Sequence, residues 1–516
     1  MIRRDGQMTS LWQSVADAYQ PVSEAIPGQA YDVIVVGAGI TGITTALSLQ
    51  EAGKKCLVVE AVSAGFGTTG GTTAHLNTYV DSTYTTIEKN FDLETAQLVA
   101  KATAGAIAMI RHNVERFRID CEFSNQPAFL FAQDEKEAQQ LAEDTVAAMN
   151  AGLTIQATDS IPCPIPFTSA VRVGGQAQFN PIRYLFSIAK AYEDAGGTII
   201  QGCRVENVSG DGPVTVETSV GKFTCNDLIY ATHIPPGINL LHLRCAPWRS
   251  YAIAVKLGSG QYPQGLVYDM KDPYNYYRSQ VIDGEDWLIV GGKDHKTGDD
   301  VNTEACFVDL ESMVRRYYDV KEVGYKWSSQ YFESSDGLPY IGLLPGGGDH
   351  IYVATGYGGN GMVYGTVAAR VLKALITDSE EEISTLFTPS RVKPVAGFTN
   401  FLSHNAHVAK SLVEGLFSAD KMDELAALAP GEAGIVQYDG RKLGLFKDEQ
   451  GKIHAVNPTC THMKCNVNWN AAEQSWDCPC HGARYDMDGK VLTGPADRDL
   501  PVVKVEERSS VGASSS

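Results

Sequence analysis

The alternation of apolar and polar positions divides the chain into a long mixed region and a short C-terminal region. Residues 31–61, YDVIVVGAGITGITTALSLQEAGKKCLVVEA, predict a strand, a glycine turn, a helix and a second strand. A mixed α/β region continues to about residue 387. Its further predicted elements are a helix over 93–118, a hairpin over 205–218, aromatic-rich strands over 251–292, and a strand and helix over 351–376.

The pattern changes after residue 387. Residues 377–384, TDSEEEIS, predict an acidic surface turn, and apolar positions at helical spacing over 398–417 predict an amphipathic linker helix. From about residue 428 short strands alternate with turns, and hairpin signals stand at Asp439–Gly440 and Gln450–Gly451. This alternation of short strands and turns predicts a small all-β domain in the C-terminal region.

Size and charge limit the classes of function. A chain of 516 residues is too long for one core, so we expect two to four domains. The net charge of −19 argues against a nucleic-acid partner, because phosphate binding needs a basic face. No apolar run is long enough for a membrane span, and no apolar segment resembling a signal peptide follows the N-terminal arginine pair. We therefore expect a cytoplasmic protein.

The first glycine turn predicts a dinucleotide site. Gly37, Gly39 and Gly42 satisfy G-x-G-x-x-G between an apolar strand and a helix. Gly37 allows the tight turn, Gly39 lets the backbone approach a pyrophosphate, and Gly42 lets helix and strand pack closely. Glu60 follows the second strand, where an acid binds a ribose hydroxyl.

A second glycine loop, GYGGNG at 356–361, precedes the helix predicted up to residue 376. It fits a second nucleotide site by pattern, but no second strand with a terminal acid follows. We favour a helix N-terminus whose positive end faces one cofactor that is already bound by the first loop.

Several segments together resemble the D-amino-acid-oxidase-like flavoproteins, which oxidise amines and amino acids. They are GAGITGITTALSLQEAG, Glu60, FGTTGGTTAHLN, FNPIRYLFSIAKAYEDAGGTII, DGLPYIG and ATGYGGNGM. The resemblance covers about residues 31–387 and implies FAD in a Rossmann-like α/β domain with a mixed-sheet substrate domain. By position it assigns the ADP half to Gly37, Gly39, Gly42 and Glu60, the flavin to Gly67, Thr68, Thr72 and Thr73, the adenine to Val205, and the pyrimidine ring to Gly358, Gly359, Gly361 and Met362.

The substrate side is less defined by the sequence. Some relatives bind flavin covalently through His or Cys, but His75 falls late for that role, so we expect non-covalent FAD. Candidate substrate contacts are aromatic and arginine residues in two strands, with an arginine available to clamp a carboxylate: Arg249, Tyr251, Tyr276, Tyr277 and Arg278. The alternative is that these residues line the core of the substrate domain.

The C-terminal region carries a cluster of possible metal ligands. Cys460 and His462 are followed after fifteen residues by Cys478 and His481. Two Cys and two His suit tetrahedral zinc, although zinc sites usually place like ligands together. The interleaved order instead suits a Rieske [2Fe–2S] centre, in which cysteines bind one iron and histidines the other.

The segments CTHMKC and CPCHGARYD, with GPADRDLP after them, resemble the Rieske domain of cytochrome bc-type iron–sulfur proteins over about residues 426–508. The resemblance implies a disulfide between Cys465 and Cys480. High-potential relatives have Ser where this chain has Ala483, and the loss of its hydrogen bond predicts a lower reduction potential. Tyr485, which bonds a ligand sulfur in relatives, is present.

Together these features predict an FAD-dependent dehydrogenase for a small amine or amino-acid-type substrate, with the cluster passing electrons singly to an external one-electron carrier. Two alternatives remain: a reductase or oxygenase component fed by a ferredoxin-like donor, and a redox-sensing or electron-transfer module without catalysis. The expected domains are an N-terminal extension (1–30), the FAD-dependent oxidoreductase domain (31–387), a linker (388–425), the Rieske domain (426–508) and a disordered tail (509–516).

Overall fold

A computed structural model describes residues 4–24, 26–391, 403–411, 420–421, 428–438 and 440–505. Its helices are α1 (Leu11–Ser14), α2 (Ile40–Glu51), α3 (Thr68–Gly71), α4 (Tyr84–Asn90), α5 (Leu93–Arg116), α6 (Glu135–Asn150), α7 (Pro181–Asp194), α8 (Thr303–Tyr317) and α9 (Gly361–Ile376). A 3₁₀ turn spans Leu240–Leu243, and residues 403–411 are helical.

The strands of the long region are β1 (Ala30–Val36), β2 (Cys56–Val59), β3 (His75–Leu76), β4 (Ser124–Ala132), β5 (Ile155–Thr158), β6 (Ser169–Gln178), β7 (Thr198–Ile200), β8 (Val205–Ser209), β9 (Val214–Thr218), β10 (Gly221–Tyr230), β11 (Cys245–Leu257), β12 (Leu266–Asp269), β13 (Tyr276–Ile282), β14 (Glu285–Lys296), β15 (Val320–Ser334), β16 (Tyr340–Leu343) and β17 (Ile351–Thr355). Those of the C-terminal region are β18 (Asp420–Lys421), β19 (Ala433–Tyr438), β20 (Arg441–Lys447), β21 (Ile453–Val456), β22 (Asn468–Asn470), β23 (Ser475–Asp477), β24 (Arg484–Asp486) and β25 (Val491–Thr493).

The nucleotide-binding sheet has the order β16-β17-β10-β1-β2-β7, with β8 and β9 as an added hairpin beside β10. Strands β17, β10, β1, β2 and β7 are parallel, and β16 is antiparallel to its neighbour. Residues Val33–Val35 in β1 and the whole of β2 are fully buried apolar positions, as expected for strands covered on both faces. Helix α2 packs against α7 and α9, so both predicted glycine loops open helices of one layer.

The second sheet has the order β15-β11-β14-β13-β12-β4-β6-β3, with β5 paired to β6. All its pairings are antiparallel except that between β12 and β4. The predicted aromatic-rich strands over 251–292 lie here, as β11 to β14. The α/β fold with a mixed second sheet is therefore confirmed.

The C-terminal region is all β, as predicted, and consists of two four-stranded sheets, β18-β19-β20-β21 and β22-β23-β24-β25. Strand β18 pairs in parallel with β19 and lies before residue 426, where we expected the domain to begin. Of the predicted linker helix over 398–417, residues 403–411 are helical and the others lie outside the described residues. The predicted tail also lies outside them.

Residues 4–14 are not a loosely attached extension. Asp5, Leu11 and Trp12 are buried, and the Trp12 indole donates a hydrogen bond of 2.6 Å to Thr72 O. The side chain of Gln13 donates to Gly65 O at 3.0 Å. The start of the chain is therefore packed beneath the segment that leads into and out of α3.

Candidate functional site

The first glycine turn has the backbone conformation that its sequence predicts. Gly37 has φ +109°, and a Cβ there would lie 2.6 Å from Ala231 O. At Gly42 a Cβ would lie 1.9 Å from Gly37 O, so only glycine permits this contact between helix and strand. Gly39 caps α2, whose free N–H groups and positive dipole end face the cavity that follows.

A cavity of about 320 Å³ runs between the two sheets and is lined by twelve of the thirteen predicted cofactor residues. These are Gly37, Gly39, Glu60, Gly67, Thr68, Thr72, Thr73, Val205, Gly358, Gly359, Gly361 and Met362. Gly42 is the exception, since it acts in the packing contact described above. The Glu60 carboxylate accepts the Ala38 N–H and the Val62 N–H, each at 2.9 Å, and burial raises the pKa of this group.

The second glycine loop closes the same cavity. The Gly359 N–H donates to Asp81 Oδ2 at 2.6 Å, and the Asp81 N–H donates to Asn360 Oδ1 at 2.8 Å. A Cβ on Gly359 would lie 2.7 Å from Asp81 Oδ2, so the loop and this acid require each other's close approach. The loop serves the cavity of the first glycine turn, in agreement with a single cofactor.

Both arginines considered as carboxylate clamps lie in the core and away from the cavity, which is the alternative that the sequence left open. Arg278 is fully buried and donates to Thr73 O (2.9 Å) and Ala74 O (2.7 Å), which fixes the cavity wall after α3. Arg249 is fully buried as well and donates to Ser328 Oγ at 2.6 Å. Neither arginine lines the cavity.

The tyrosine candidates divide by strand face. Tyr276 lines the cavity, whereas Tyr277 points toward α8, where its hydroxyl lies 3.5 Å from Met313 Sδ. Tyr251 is hydrogen-bonded to His295 Nε2 at 2.9 Å, away from the cavity. His75 lines the cavity and is hydrogen-bonded through Nδ1 to the Tyr268 hydroxyl. Burial lowers the pKa of His75 well below its ordinary value, so the imidazole is neutral.

The end of the cavity that is walled by the second sheet, labelled the substrate end below, also holds acids that the sequence analysis did not identify. Asp294 accepts the Ser250 hydroxyl (2.6 Å) and the Tyr331 hydroxyl (2.9 Å), and the Tyr274 hydroxyl donates to Asp81 Oδ1 at 3.0 Å. No motif surrounds these acids in the sequence. They come together because neighbouring strands of the second sheet end beside the glycine loop.

The four predicted metal ligands are buried and form two close pairs, one of histidines and one of cysteines. The rings of His462 and His481 are 5.1 Å apart between centroids, and the Cys478 thiol is in hydrogen-bonding contact with Cys460. That contact lowers the pKa of Cys460 and raises the pKa of Cys478, as expected for two adjacent thiols that share one proton. Burial lowers the pKa of His481 to about 2, so its imidazole is a neutral donor.

Ring nitrogens of both histidines have lone pairs that are available to coordinate iron. Among the described residues, His462 Nδ1 and both ring nitrogens of His481 are buried without a hydrogen-bond partner. His462 Nε2 instead donates to Gly237 O at 3.0 Å, which leaves Nδ1 for a metal. Unsatisfied buried nitrogens are costly unless they coordinate a metal, so the donor set fits a two-Cys, two-His centre.

The remaining cysteines of the cluster form a bridge. Cys465 and Cys480 are joined by a disulfide bond, the pairing that the resemblance implied. Their sulfurs lie within 4.8 Å of Cys478 Sγ, and the bond excludes them as thiolate ligands. The Tyr485 hydroxyl lies 3.2 Å from Cys460 Sγ, while the buried Ala483 offers no hydroxyl.

The ligand histidines face the mixed α/β region. The Gly237 carbonyl that accepts from His462 belongs to a loop whose residues His233, Ile234 and Pro236 line the cavity. From the other side, the C-terminal region contributes residues 492–494 and 496–497 to the cavity wall. One loop therefore contacts both the cavity and a predicted metal ligand.

A buried charge network fastens this arrangement. It consists of three arginines and three carboxylates: Arg4, Asp5, Arg249, Glu473, Asp477 and Arg484. Arg4 pairs with Glu473 at 3.2 Å, and Arg484 pairs with Asp5 at 3.1 Å and with Asp477 at 3.0 Å. Burial by itself raises the pKa of Asp477, but the adjacent Arg484 and Arg249 bring it below its ordinary value. Arg249 thus takes part in the contact between the mixed α/β region and the C-terminal region, and it is not available to a substrate.

Comparison with known families decides what this architecture is. The FAD dependent oxidoreductase family matches residues 32–375, two thirds of the chain. The chain belongs to this family. The Rieske [2Fe-2S] domain matches residues 418–504, which begins before our expected boundary and includes β18.

One relative shares the whole organisation. The putative Rieske 2Fe-2S iron-sulfur protein YhfW of Bacillus subtilis (strain 168) is 33% identical over 479 residues, which are 92% of this chain and 94% of that protein. Gamma-glutamylputrescine oxidoreductase of Escherichia coli (strain K12) is 24% identical over 72% of this chain and 90% of its own length. The crystal structure of glycine oxidase from Geobacillus kaustophilus superposes with a TM-score of 0.58 at 17% identity, over 70% of this chain and 99% of that one. That likeness shows the fold.

The protein is an FAD-dependent oxidoreductase with a Rieske domain, and its cofactors are FAD and a [2Fe–2S] cluster. The glycine cradles at the N-termini of α2 and α9 and the acid after β2 fit FAD. The partnerless histidine nitrogens and the paired thiols fit the cluster. The zinc alternative does not hold. No helix in the described part of the chain is long and apolar enough to cross a membrane.

Proposed function

We propose that this protein is a dehydrogenase that oxidises a carbon–nitrogen single bond in an amine or amino-acid-type substrate and delivers the electrons singly to an external carrier. The substrate C–N bond becomes C=N, with loss of one hydride and one proton. Bound FAD would supply the hydride acceptor, and the cluster would supply a carrier of one electron at a time. Two equivalents of a one-electron carrier are each reduced once, which balances the two electrons released.

The observation that carries this proposal is the loop of residues 233–237. Pro236 lines the cofactor cavity, and the carbonyl of the next residue, Gly237, accepts a hydrogen bond of 3.0 Å from the cluster ligand His462. His233 faces the cavity, and its ring nitrogen lies 3.3 Å from the Thr68 hydroxyl. Burial lowers the pKa of His233 to about 4, so the loop brings no charge between the two sites.

Residues of the chain orient the cofactor, exclude water and hold the Rieske domain in place. The N-termini of α2 and α9 orient the cofactor through backbone N–H groups and helix dipoles. Tyr268, Tyr274, Tyr276 and Tyr331 line the substrate end and exclude water there, which favours hydride transfer. The buried charge network holds the Rieske domain in the position in which His462 is hydrogen-bonded to Gly237.

Anaerobic single-turnover experiments test the direction of electron flow. The holoenzyme is mixed with candidate substrates, flavin absorbance is followed, and samples are frozen for EPR. We expect flavin bleaching followed by the signal of the reduced Rieske cluster, and then its loss when an external one-electron oxidant is added. A Cys478→Ser variant that lacks the cluster serves as control and bleaches without the second phase.

Two results contradict the proposal. If the flavin is reduced by substrate while the cluster stays oxidised, the cluster is not the outlet. If no substrate bleaches the flavin but a reduced ferredoxin-type donor reduces the cluster and then the flavin, the electrons run in the opposite direction, as in a reductase.

A further inference from the structure

The substrate end of the cavity combines carboxylates with aromatic rings on adjacent strands. Tyr268, Tyr276, Asp294 and Tyr331 belong to strands β12, β13, β14 and β15 of the second sheet, and Ser250 belongs to β11. The rings of Tyr268 and Tyr274 lie 6.2 Å apart, and those of Tyr274 and Tyr276 lie 5.9 Å apart. Asp81 closes this group from the side of the glycine loop. Such walls suit a cation, which binds both carboxylates and ring faces.

Among the residues that the structure describes, no arginine or lysine balances these acids at the substrate end. Arg204 is the sole arginine or lysine among the described residues that line the cavity, and it neighbours the predicted adenine contact Val205. Arg278 and Arg249 have their hydrogen-bonding capacity directed to backbone carbonyls and to the buried charge network. A substrate carboxylate beside the reacting carbon would therefore meet Asp81 and Asp294 without a counter-charge.

The acids already repel one another without a cation. Burial raises the pKa of Asp294 to about 6, and the charge of Asp81 adds to this increase. The hydrogen bonds from Ser250 and Tyr331 act in the opposite direction but do not outweigh burial. A positive group bound at this end of the cavity would relieve that repulsion.

Unpaired polar atoms on the same wall provide an independent sign of a ligand. Asn77 is 6% exposed and lines the cavity, and its Oδ1 has no hydrogen-bond partner among the described residues. Its Nδ2 donates to the Tyr268 hydroxyl at 2.7 Å, so the carbonyl oxygen is the group left over. His75 Nε2 is also buried, lines the cavity and lacks a partner there. An ammonium or amine N–H satisfies a free acceptor such as Asn77 Oδ1.

From these observations we infer that the substrate is an amine that binds as a cation and carries no carboxylate beside the reacting carbon, with Asp81, Asp294 and Asn77 as its polar contacts. This inference rests on the proposed dehydrogenase function and narrows its substrate class from amines and amino acids to amines. The binding step needs no electron transfer, so it is testable separately from the route through the cluster.

The test compares pairs of ligands that differ by a carboxylate. Calorimetry on the oxidised holoenzyme, kept anaerobic, measures binding of 2-phenylpropan-2-amine and 2-amino-2-phenylpropanoate, which lack the hydrogen that oxidation would remove. The pairs 3-methylbutylamine with leucine and 1,5-diaminopentane with lysine are followed by calorimetry and by flavin bleaching. We expect at least one amine to bind about tenfold or more tightly than its amino acid, because the amino acid adds a carboxylate that is desolvated beside Asp81 and Asp294 without a counter-charge.

Variants assign the preference to residues. Asp294→Asn and Asp81→Asn are each expected to weaken the best amine about tenfold to a hundredfold and to reduce the ratio of amine to amino-acid affinity. The control is Asp286→Asn, an exposed acid on the same strand as Asp294, which should leave both quantities unchanged. A purely structural role of Asp294 would weaken both members of a pair equally.

The outcomes are decisive in either direction. Tighter binding of an amino acid than of its amine, an unchanged ratio in both variants, or no binding by any amine of the panel overturns the inference. Failure of the cluster to accept electrons refutes the proposed function instead, and it leaves the binding result intact.

Discussion

Glu473→Gln should loosen the Rieske domain from the oxidoreductase domain without touching either cofactor. The Glu473 carboxylate is fully buried and accepts from Ser328 N (2.9 Å), Ser328 Oγ (2.7 Å) and Arg4 Nη1 (3.2 Å). Glutamine keeps one acceptor oxygen but removes the charge, so the buried charge network passes from balance to one net positive charge. Removing one partner of a buried pair costs about 3–5 kcal/mol.

A cost of about 3 kcal/mol lowers the equilibrium ratio of docked to undocked Rieske domain by a factor of roughly a hundred. We expect a lower denaturation midpoint and slower reduction of the cluster after flavin bleaching. The rate of bleaching itself should be unchanged, because Glu473 does not line the cavity. Stopped-flow absorbance with freeze-quench EPR measures both rates. Glu449→Gln, at an exposed position in a turn of the same domain, is the matched control. If Glu473→Gln leaves both the midpoint and the cluster-reduction rate at wild-type values, the network does not hold the domains together.

Four further changes test other parts of the structure. Cys480→Ser removes the bridge across 15 residues and should cost about 3 kcal/mol, measured by chemical denaturation, with faster loss of the cluster absorbance; equal stability would contradict a bracing role. Gly42→Ala places a Cβ 1.9 Å from a backbone oxygen and should abolish FAD retention, assayed by flavin content, whereas Gly434→Ala, which meets no atom within 4 Å, should retain it. Tyr485→Phe removes the hydroxyl 3.2 Å from a ligand sulfur and should lower the cluster potential in an EPR redox titration; an equal or higher potential is the opposing result. Burial raises the pKa of Asp294 from 3.8 to about 6, so ionisation of this carboxyl lowers the stability of the fold progressively from about pH 4 to pH 6 and fully above pH 6. Asp294→Asn should therefore raise the thermal midpoint at pH 7 and leave it unchanged at pH 4.

The features predicted well from the sequence are those whose residues are close together along the chain. The first glycine loop spans six residues, and the conformation it needs excludes side chains, so glycine itself is the signal. The cluster ligands Cys460, His462, Cys478 and His481 occupy two short loops with a distinctive order. The parallel sheet follows in the same way from one strand–turn–helix–strand unit.

The substrate end was predicted poorly because it depends on which face of a strand each residue occupies. Successive residues alternate between faces, so Ser250 and Tyr276 reach the cavity while Arg249 and Tyr277 point away from it. The sequence around these strands is aromatic on both faces and does not reveal which face meets the cofactor. Asp294 likewise gains its importance from neighbours on other strands.

The burial of the N-terminal segment could not be predicted for a related reason. Residues 4–14 show no sustained periodicity, and their buried positions derive from contacts with parts of the chain that are hundreds of residues away. Gly6 illustrates this dependence, since a Cβ there would lie 2.0 Å from Glu473 Oε2. Only the assembled structure brings those two residues together.

The same contacts limit when the chain can complete its fold during synthesis. Arg4 and Glu473 are separated by 469 positions, and Arg484 bonds to the Asp5 carbonyl across 479 positions. A ribosome makes Asp5 479 positions before Arg484, and domains generally fold in the order in which they emerge. Arg4 and Asp5 therefore remain without these partners until more than 460 further residues have been made. Joining of the two redox domains therefore has to follow the synthesis of Arg484, and a chain that is truncated before Glu473 leaves Arg4 without that carboxylate.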